Sequence, residues 1–85
     1  MSTVKFFASL REDTGLDSLT VAAASMPDLR QALHERLPAA AWQALWADGV
    51  RLAINQQFTS SDWRVLEDDI PADAEIAFLP PVTGG

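Results

Sequence analysis

The sequence predicts an α+β fold, a mixed sheet of about four to five strands curled around one main helix with a short second helix. Three observations carry this expectation. The most apolar strand-like runs stand near the two ends, Val4-Lys5-Phe6-Phe7 and Glu75-Ile76-Ala77-Phe78-Leu79, so both belong at the centre of a sheet. Between them lies one helix with clear start and stop signals. The 85 residues, 48% hydrophobic and 21% charged, hold enough apolar material for a single core.

Thr3 to Ser9 reads as the first strand, and Leu10-Arg11-Glu12-Asp13-Thr14-Gly15 as a polar connection that turns at Gly15. Ser18 to Ala22 alternates as a second strand, forming with the first a hairpin with a long loop. The main helix starts at Ser25, an N-cap with Asp28 three residues on, as in a capping box, and Pro27 is tolerated in the first turn. Leu29, Ala32, Leu33 and Leu37 follow helical spacing and define the buried face. Pro38 closes this helix and opens another over Ala39 to Ala47, with Trp42, Leu45 and Trp46 on one stripe and Gly49 as the stop. At this spacing at least one of the two tryptophans belongs to the core.

Val50 to Ile54 reads as a third strand, and Asn55-Gln56 as a tight turn into Gln57-Phe58-Thr59. Ser60 to Asp69 is a polar loop carrying Trp63, which its setting makes a candidate partner contact. Ile70 to Ala74 then leads into the last strand. The compact solution for this order is the β-grasp, or ubiquitin-like, arrangement: a domain over 1–79 and an extended tail over 80–85.

Composition narrows the function. Twelve acidic residues against six basic ones give a net charge of −6, which repels phosphate backbones and argues against nucleic acid as a partner. No apolar run approaches a membrane span and the first residues do not form a secretory signal, so the expected setting is the cytoplasm, with no membrane partner. Cysteine is absent, which excludes disulfides, thiolate metal sites and a cysteine nucleophile.

The remaining polar residues form no self-contained active site. His34 stands alone on the main helix, without the second ligand or base partner that metal or acid–base work needs. Glu67-Asp68-Asp69, with Asp62 and Asp73 nearby, lacks the alternating ligands and internal Gly of a calcium loop, so no metal site is expected. Arg11-Glu12 reads as a solvated pair. What is left is the chain end, Pro80-Pro81-Val82-Thr83-Gly84-Gly85. The prolines favour an extended exit, and the glycines carry no side chain that would clash in a narrow channel. Six extended residues reach roughly 20 Å, enough to enter another protein.

Val4-Lys5-Phe6-Phe7-Ala8 with Arg11-Glu12, the Ala53-Ile54-Asn55-Gln56 turn, and Glu75-Ile76-Ala77-Phe78 running into Pro80-Pro81-Val82-Thr83-Gly84-Gly85 together resemble one family. It is that of the small subunits of molybdopterin synthase, ubiquitin-like sulfur carriers, and the likeness spans nearly the whole chain. The chain departs from it at Ala72-Asp73-Ala74-Glu75, where the family has a Gly-containing acidic turn, and in a longer segment from Ser60 to Asp69.

The resemblance implies that a ubiquitin-activating-type enzyme spends ATP to adenylate Gly85, that a persulfide converts it to a thiocarboxylate, and that the sulfur goes to cyclic pyranopterin monophosphate. It further implies that no cofactor is bound by the carrier itself and that catalysis resides outside it. Two small and two large subunits would make the synthase. Pro80, Pro81, Val82, Thr83 and Gly84 would line the partner's channel, while Phe7, Arg11, Phe58, Trp63, Phe78 and Leu79 would contribute to docking. A carrier for thiazole or thio-amino-acid synthesis, and a ubiquitin-like modifier or interaction domain, are the alternatives.

Overall fold

The computed structural model describes residues 1–81. Its elements run β1 (Ser2–Phe6), α1 (Ser9–Thr14), β2 (Ser18–Val21), α2 (Met26–Arg36), α3 (Ala39–Leu45), β3 (Arg51–Ile54), β4 (Gln57–Phe58) and β5 (Glu75–Leu79). The five strands form one sheet in the order β2-β1-β5-β3-β4. Only β1 and β5 pair in parallel, in the register Val4 with Ile76 and Phe6 with Phe78, and the other pairs are antiparallel. The two most apolar strands thus lie side by side at the middle of the sheet, where both neighbours saturate their backbone groups. This is the β-grasp arrangement.

α2 begins as its sequence dictates. The Ser25 hydroxyl accepts a hydrogen bond from the Asp28 N–H at 3.3 Å, and Pro27 occupies the first turn. Leu29 and Leu33 are fully buried against the sheet, and the helix stops at Leu37, ahead of Pro38. Pro38 is in turn the N-cap of α3.

The connection between β1 and β2 differs from the expected polar loop, because Ser9–Thr14 is helical. Thr14 Oγ1 donates to the Leu10 carbonyl at 2.8 Å, Leu10 and Thr14 are buried, and Gly15 closes the helix in the left-handed conformation. Packing of Leu10 into the core outweighs the weak helix preference of so short a segment. The strand before it correspondingly ends at Phe6, with Ala8 at φ 52°, ψ −129° leading into α1.

The long segment after β4 is held down at several points. Arg30 of α2 donates through Nη1 to the carbonyls of Trp63 at 2.9 Å and Leu66 at 2.6 Å. Backbone bonds from Met26 to Asp68 and from Ile70 to Ala24, both 2.9 Å, lay its end along the start of α2. These anchors replace the ladder bonds that the segment lacks.

Candidate functional site

The chain leaves the domain through β5. Its inward residues, Ile76 and Phe78, are fully buried, whereas Glu75, Ala77 and Leu79 alternate onto the open face of the sheet and are half-buried. Pro80 is half-buried and Pro81 is exposed, and Pro81 lies against Gly49, at the turn between α3 and β3. Val82, Thr83, Gly84 and Gly85 lie outside the described residues.

Two of the exposed large apolar groups, Phe7 and Phe58, are on the open face or at its edge, while Met1, Trp46 and Val65 are exposed elsewhere. Ala53 pairs with Ala77 on one side and with Phe58 on the other, and Arg51 pairs with Leu79. Phe58 is 50% exposed, with the Arg51 guanidinium 3.8 Å over its ring, a cation–π contact that fixes the ring on the surface. Phe7, 43% exposed, donates its N–H to the Phe78 carbonyl at 3.2 Å, which holds it beside the end of β5. Lys5 and Glu75 form an ion pair at 3.4 Å on the same face.

Two residues expected at a docking surface are not on one. Phe78 is 0% and Trp63 1% exposed. The Trp63 and Phe78 rings meet edge to face at 4.9 Å, and Phe78 stacks on Phe6 at 5.9 Å. Phe78 points inward because the alternation that places Leu79 on the open face sends its neighbour to the core. Trp63 is drawn in because burying an indole outweighs the polarity of Asp62 and Arg64 around it. Its Nε1–H is buried without a hydrogen-bond partner. Trp42 is half-buried against the core and Trp46 is 36% exposed, both in contact with the Trp63 ring. Arg11 is exposed on α1, with Asp17 at 3.6 Å. His34 is exposed and stacks on Trp42 at 5.0 Å.

Around the α3–β3 turn the electrostatics are local. Arg64 donates to Asp62 through Nε and Nη2, at 3.0 and 2.6 Å, and through Nη1 to Asp48 and the Trp46 carbonyl, at 3.0 and 2.9 Å. These bonds hold the Asp62 carboxyl below the usual carboxylate range and push the Arg64 guanidinium up, because each favours the charged form of its partner. Among the described residues, no three His, Cys, Asp or Glu side chains gather where they could hold a metal ion. Among the same residues, no helix is long and apolar enough to cross a membrane.

Several positioning residues carry no obvious sequence signal. Arg30 and Arg64 find carbonyls far away in the chain, at separations that no local pattern encodes. Asn55 is more legible. At φ 49° it opens the β3–β4 turn, while its backbone N–H donates to the Glu75 carbonyl and its side-chain oxygen accepts from the Glu75 N–H, at 2.8 and 2.9 Å. At the departure from the family pattern, Asp73 has φ 54°, a conformation that glycine adopts freely and Asp tolerates.

Fold and surface together define a ubiquitin-like β-grasp domain whose last strand, β5, leads out of the sheet through Pro80 and Pro81. Comparison with known proteins takes this further: the ThiS family matches residues 4–85, and the chain belongs to it. Over 88 aligned positions it is 40% identical to the molybdopterin synthase sulfur carrier subunit of Escherichia coli (strain K12), with 100% of both chains covered. Among solved structures, SAMP1 of Haloferax volcanii matches at TM-score 0.71 and 24% identity over 99% of this chain and 98% of that one. A chain of the Amycolatopsis orientalis BexX/CysO complex matches at TM-score 0.75 and 18% identity, with 100% of both covered. A chain of the complex of subunits 1 and 2 of the Helicobacter pylori molybdopterin-converting factor matches at TM-score 0.70 and 24% identity, covering 99% and 97%. At these identities the structural matches concern the fold.

Proposed function

We propose that this chain is the sulfur carrier subunit of molybdopterin synthase and that it acts through the carboxylate of Gly85. The observation that carries this reading is the continuity of β5 with Pro80-Pro81-Val82-Thr83-Gly84-Gly85, in a chain 40% identical end to end to a sulfur carrier of that synthase. The domain anchors β5 at the middle of the sheet, and the end that follows has no bulky side chain near its carboxylate.

A carboxylate anion, with a pKa of about 3.5, is a poor acyl donor. Adenylation by a ubiquitin-activating-type enzyme replaces a poor leaving group with AMP, at the expense of ATP and with release of pyrophosphate. A persulfide sulfur attacks the acyl carbon and AMP leaves, giving an acyl disulfide. A thiol of the sulfur donor then attacks the donor-side sulfur and the S–S bond breaks, leaving the donor as a disulfide and the end of the chain as a thiocarboxylate. The tail then enters the large subunit, where sulfur passes to cyclic pyranopterin monophosphate to build the dithiolene. Enclosure there raises the effective concentration of sulfur and limits hydrolysis. Because this chain has a net charge of −6, the cations that hold the anionic pterin belong to the large subunit.

Phe7, Leu79 and Phe58, on the open face, are the docking residues in this proposal. Leu79 is on the strand that delivers the tail, Phe7 is beside its end and Phe58 is two strands away, so seating the face aims the chain end into the partner. The setting is the cytoplasm, and the assembly holds two small and two large subunits.

The test is a variant lacking Gly84 and Gly85, assayed with the large subunit for sulfuration of the pterin. The expected result is complete loss of dithiolene formation with an unchanged melting temperature. Normal sulfuration by this variant would overturn the proposal. Capture of a thiazole synthase in place of a pterin-binding large subunit would redirect it to another acceptor.

A further inference from the structure

Gly49 lies against Pro81, where the chain leaves the sheet, and two properties set it apart. Its φ of +88° lies where L side chains are strained. A Cβ added there would stand 2.7 Å from Cβ of Pro81, closer than two carbon atoms come without displacement. α3 itself ends earlier than expected, at Leu45 with Trp46 as its cap, so Gly49 is not the helix stop but part of the turn that follows. It leaves a hollow into which the second proline of the exit fits.

That hollow is held in place. Arg64 binds the Trp46 carbonyl at 2.9 Å and the Asp48 carboxylate at 3.0 Å, gripping the turn on the residues just before Gly49. Its other side is braced by Asp62, with bonds of 2.6 to 3.0 Å. On the far side, Arg51 of β3 is in register with Leu79 of β5, so strand pairing and turn locate the exit from both ends. A proline in such a seat has a fixed φ and little freedom to pivot.

We infer that the α3–β3 turn is an exit guide, in which Gly49 is a positioning residue that sets the direction of the tail by seating Pro81. The inference rests on the sulfur-carrier reading, since direction matters only if the tail must thread a partner. Gly85 stands four residues beyond Pro81 in the sequence, and a misplacement of about 1 Å at a reacting group lowers a transfer rate by about 10- to 100-fold.

A double-mutant cycle on the full chain tests this, with Gly49→Ala, Pro81→Gly and the combination. Each variant is loaded with sulfur and mixed with the large subunit, and single-turnover transfer is read beside binding affinity and melting temperature. The expected result is a loss of about 10-fold or more in the transfer rate of Gly49→Ala, affinity for the large subunit within about twofold of the parent, and recovery in the double variant to the level of Pro81→Gly alone. Backbone strain at residue 49 lowers the melting temperature equally with or without Pro81, so stability and guidance separate. Gly49→Asn places the same Cβ on a residue that tolerates positive φ and serves where the alanine variant folds poorly.

Unchanged transfer in both Gly49 variants overturns the inference. A loss shared equally by the single and double variants also overturns it, since strain alone then explains the effect. Failure of the parent chain itself to load or transfer sulfur would instead strike the sulfur-carrier reading, so the two claims fall separately.

Discussion

The two faces of the sheet use the same residue types for different ends, and adjacent residues show it. Phe6 and Phe7 are neighbours in sequence, as are Phe78 and Leu79. Phe6 and Phe78 point inward and stack on each other, and Phe78 meets Trp63, in a column that continues through Trp42 to His34. Phe7 and Leu79 point away from it, and with Phe58 and Arg51 they leave an apolar surface that folding does not require. The inner set is interlocked, so its members depend on one another. The outer set is held by backbone register and, at Phe58, by the Arg51 cation–π contact, so its apolar surface is left to serve a partner.

The sharpest way to break this comparison is to truncate one aromatic from each side. Trp63→Ala removes a fully buried indole and should cost about 3 to 5 kcal/mol, a large part of the stability of a domain this small. Urea denaturation measures it, and a cost under about 1 kcal/mol would mean that the indole is not integral to the core.

On the open face, Phe7→Ala and Phe58→Ala should leave stability within about 0.5 kcal/mol of the parent while weakening large-subunit binding by about 10-fold. Calorimetric titration with the large subunit and a melting curve test both halves. A stability loss comparable to that of Trp63→Ala would erase the distinction between the faces.

A smaller effect sharpens the boundary between β1 and α1. Ala8, at φ 52° and ψ −129°, occupies the conformation of the first central residue of a type II′ turn, with the Leu10 N–H donating to the Phe7 carbonyl at 3.1 Å. Glycine is the residue suited to that place, so Ala8→Gly should stabilise the domain by about 1 kcal/mol, read as a rise in the denaturation midpoint. A lower midpoint would contradict the assigned backbone.

The smallest effect is on pH dependence. Hydrogen bonds from Arg64 hold Asp62 below the usual carboxylate range, so the folded chain binds this proton more weakly than the unfolded one. The contribution is present above the ordinary Asp pKa of about 3.9 and disappears as pH falls through the lower folded-state value. Asp62→Asn should therefore narrow the difference in melting temperature between neutral and acid pH, slightly, because the pair is at the surface. An unchanged difference would remove Asp62 from the account.

Most of the architecture was legible because it follows from local periodicity and punctuation. The Ser25 cap, the Pro38 boundary and the two apolar end strands are each decided within a few residues. α1 was not, although Leu10 and Thr14 one turn apart before Gly15 carry its signature, because six residues give propensity little to work with. Trp63 escaped for the opposite reason: its neighbours in sequence are polar, and only the rings of Phe78 and Trp46, distant along the chain, make its place apolar. The inward turn of Phe78 was within reach of strand alternation once Leu79 had been placed outside. The seat of Pro81 on Gly49 joins residues far apart in sequence, so a glycine that reads as a helix stop gives no sign of its second contact.

The central claim is that Gly85 carries the sulfur. After incubation with the adenylating enzyme, ATP and a sulfur donor, intact-mass and fragment-ion spectra should show one oxygen replaced by one sulfur, confined to the C-terminal residue. An unmodified Gly85 in a preparation that nonetheless sulfurates the pterin, or sulfur located elsewhere in the chain, would contradict it.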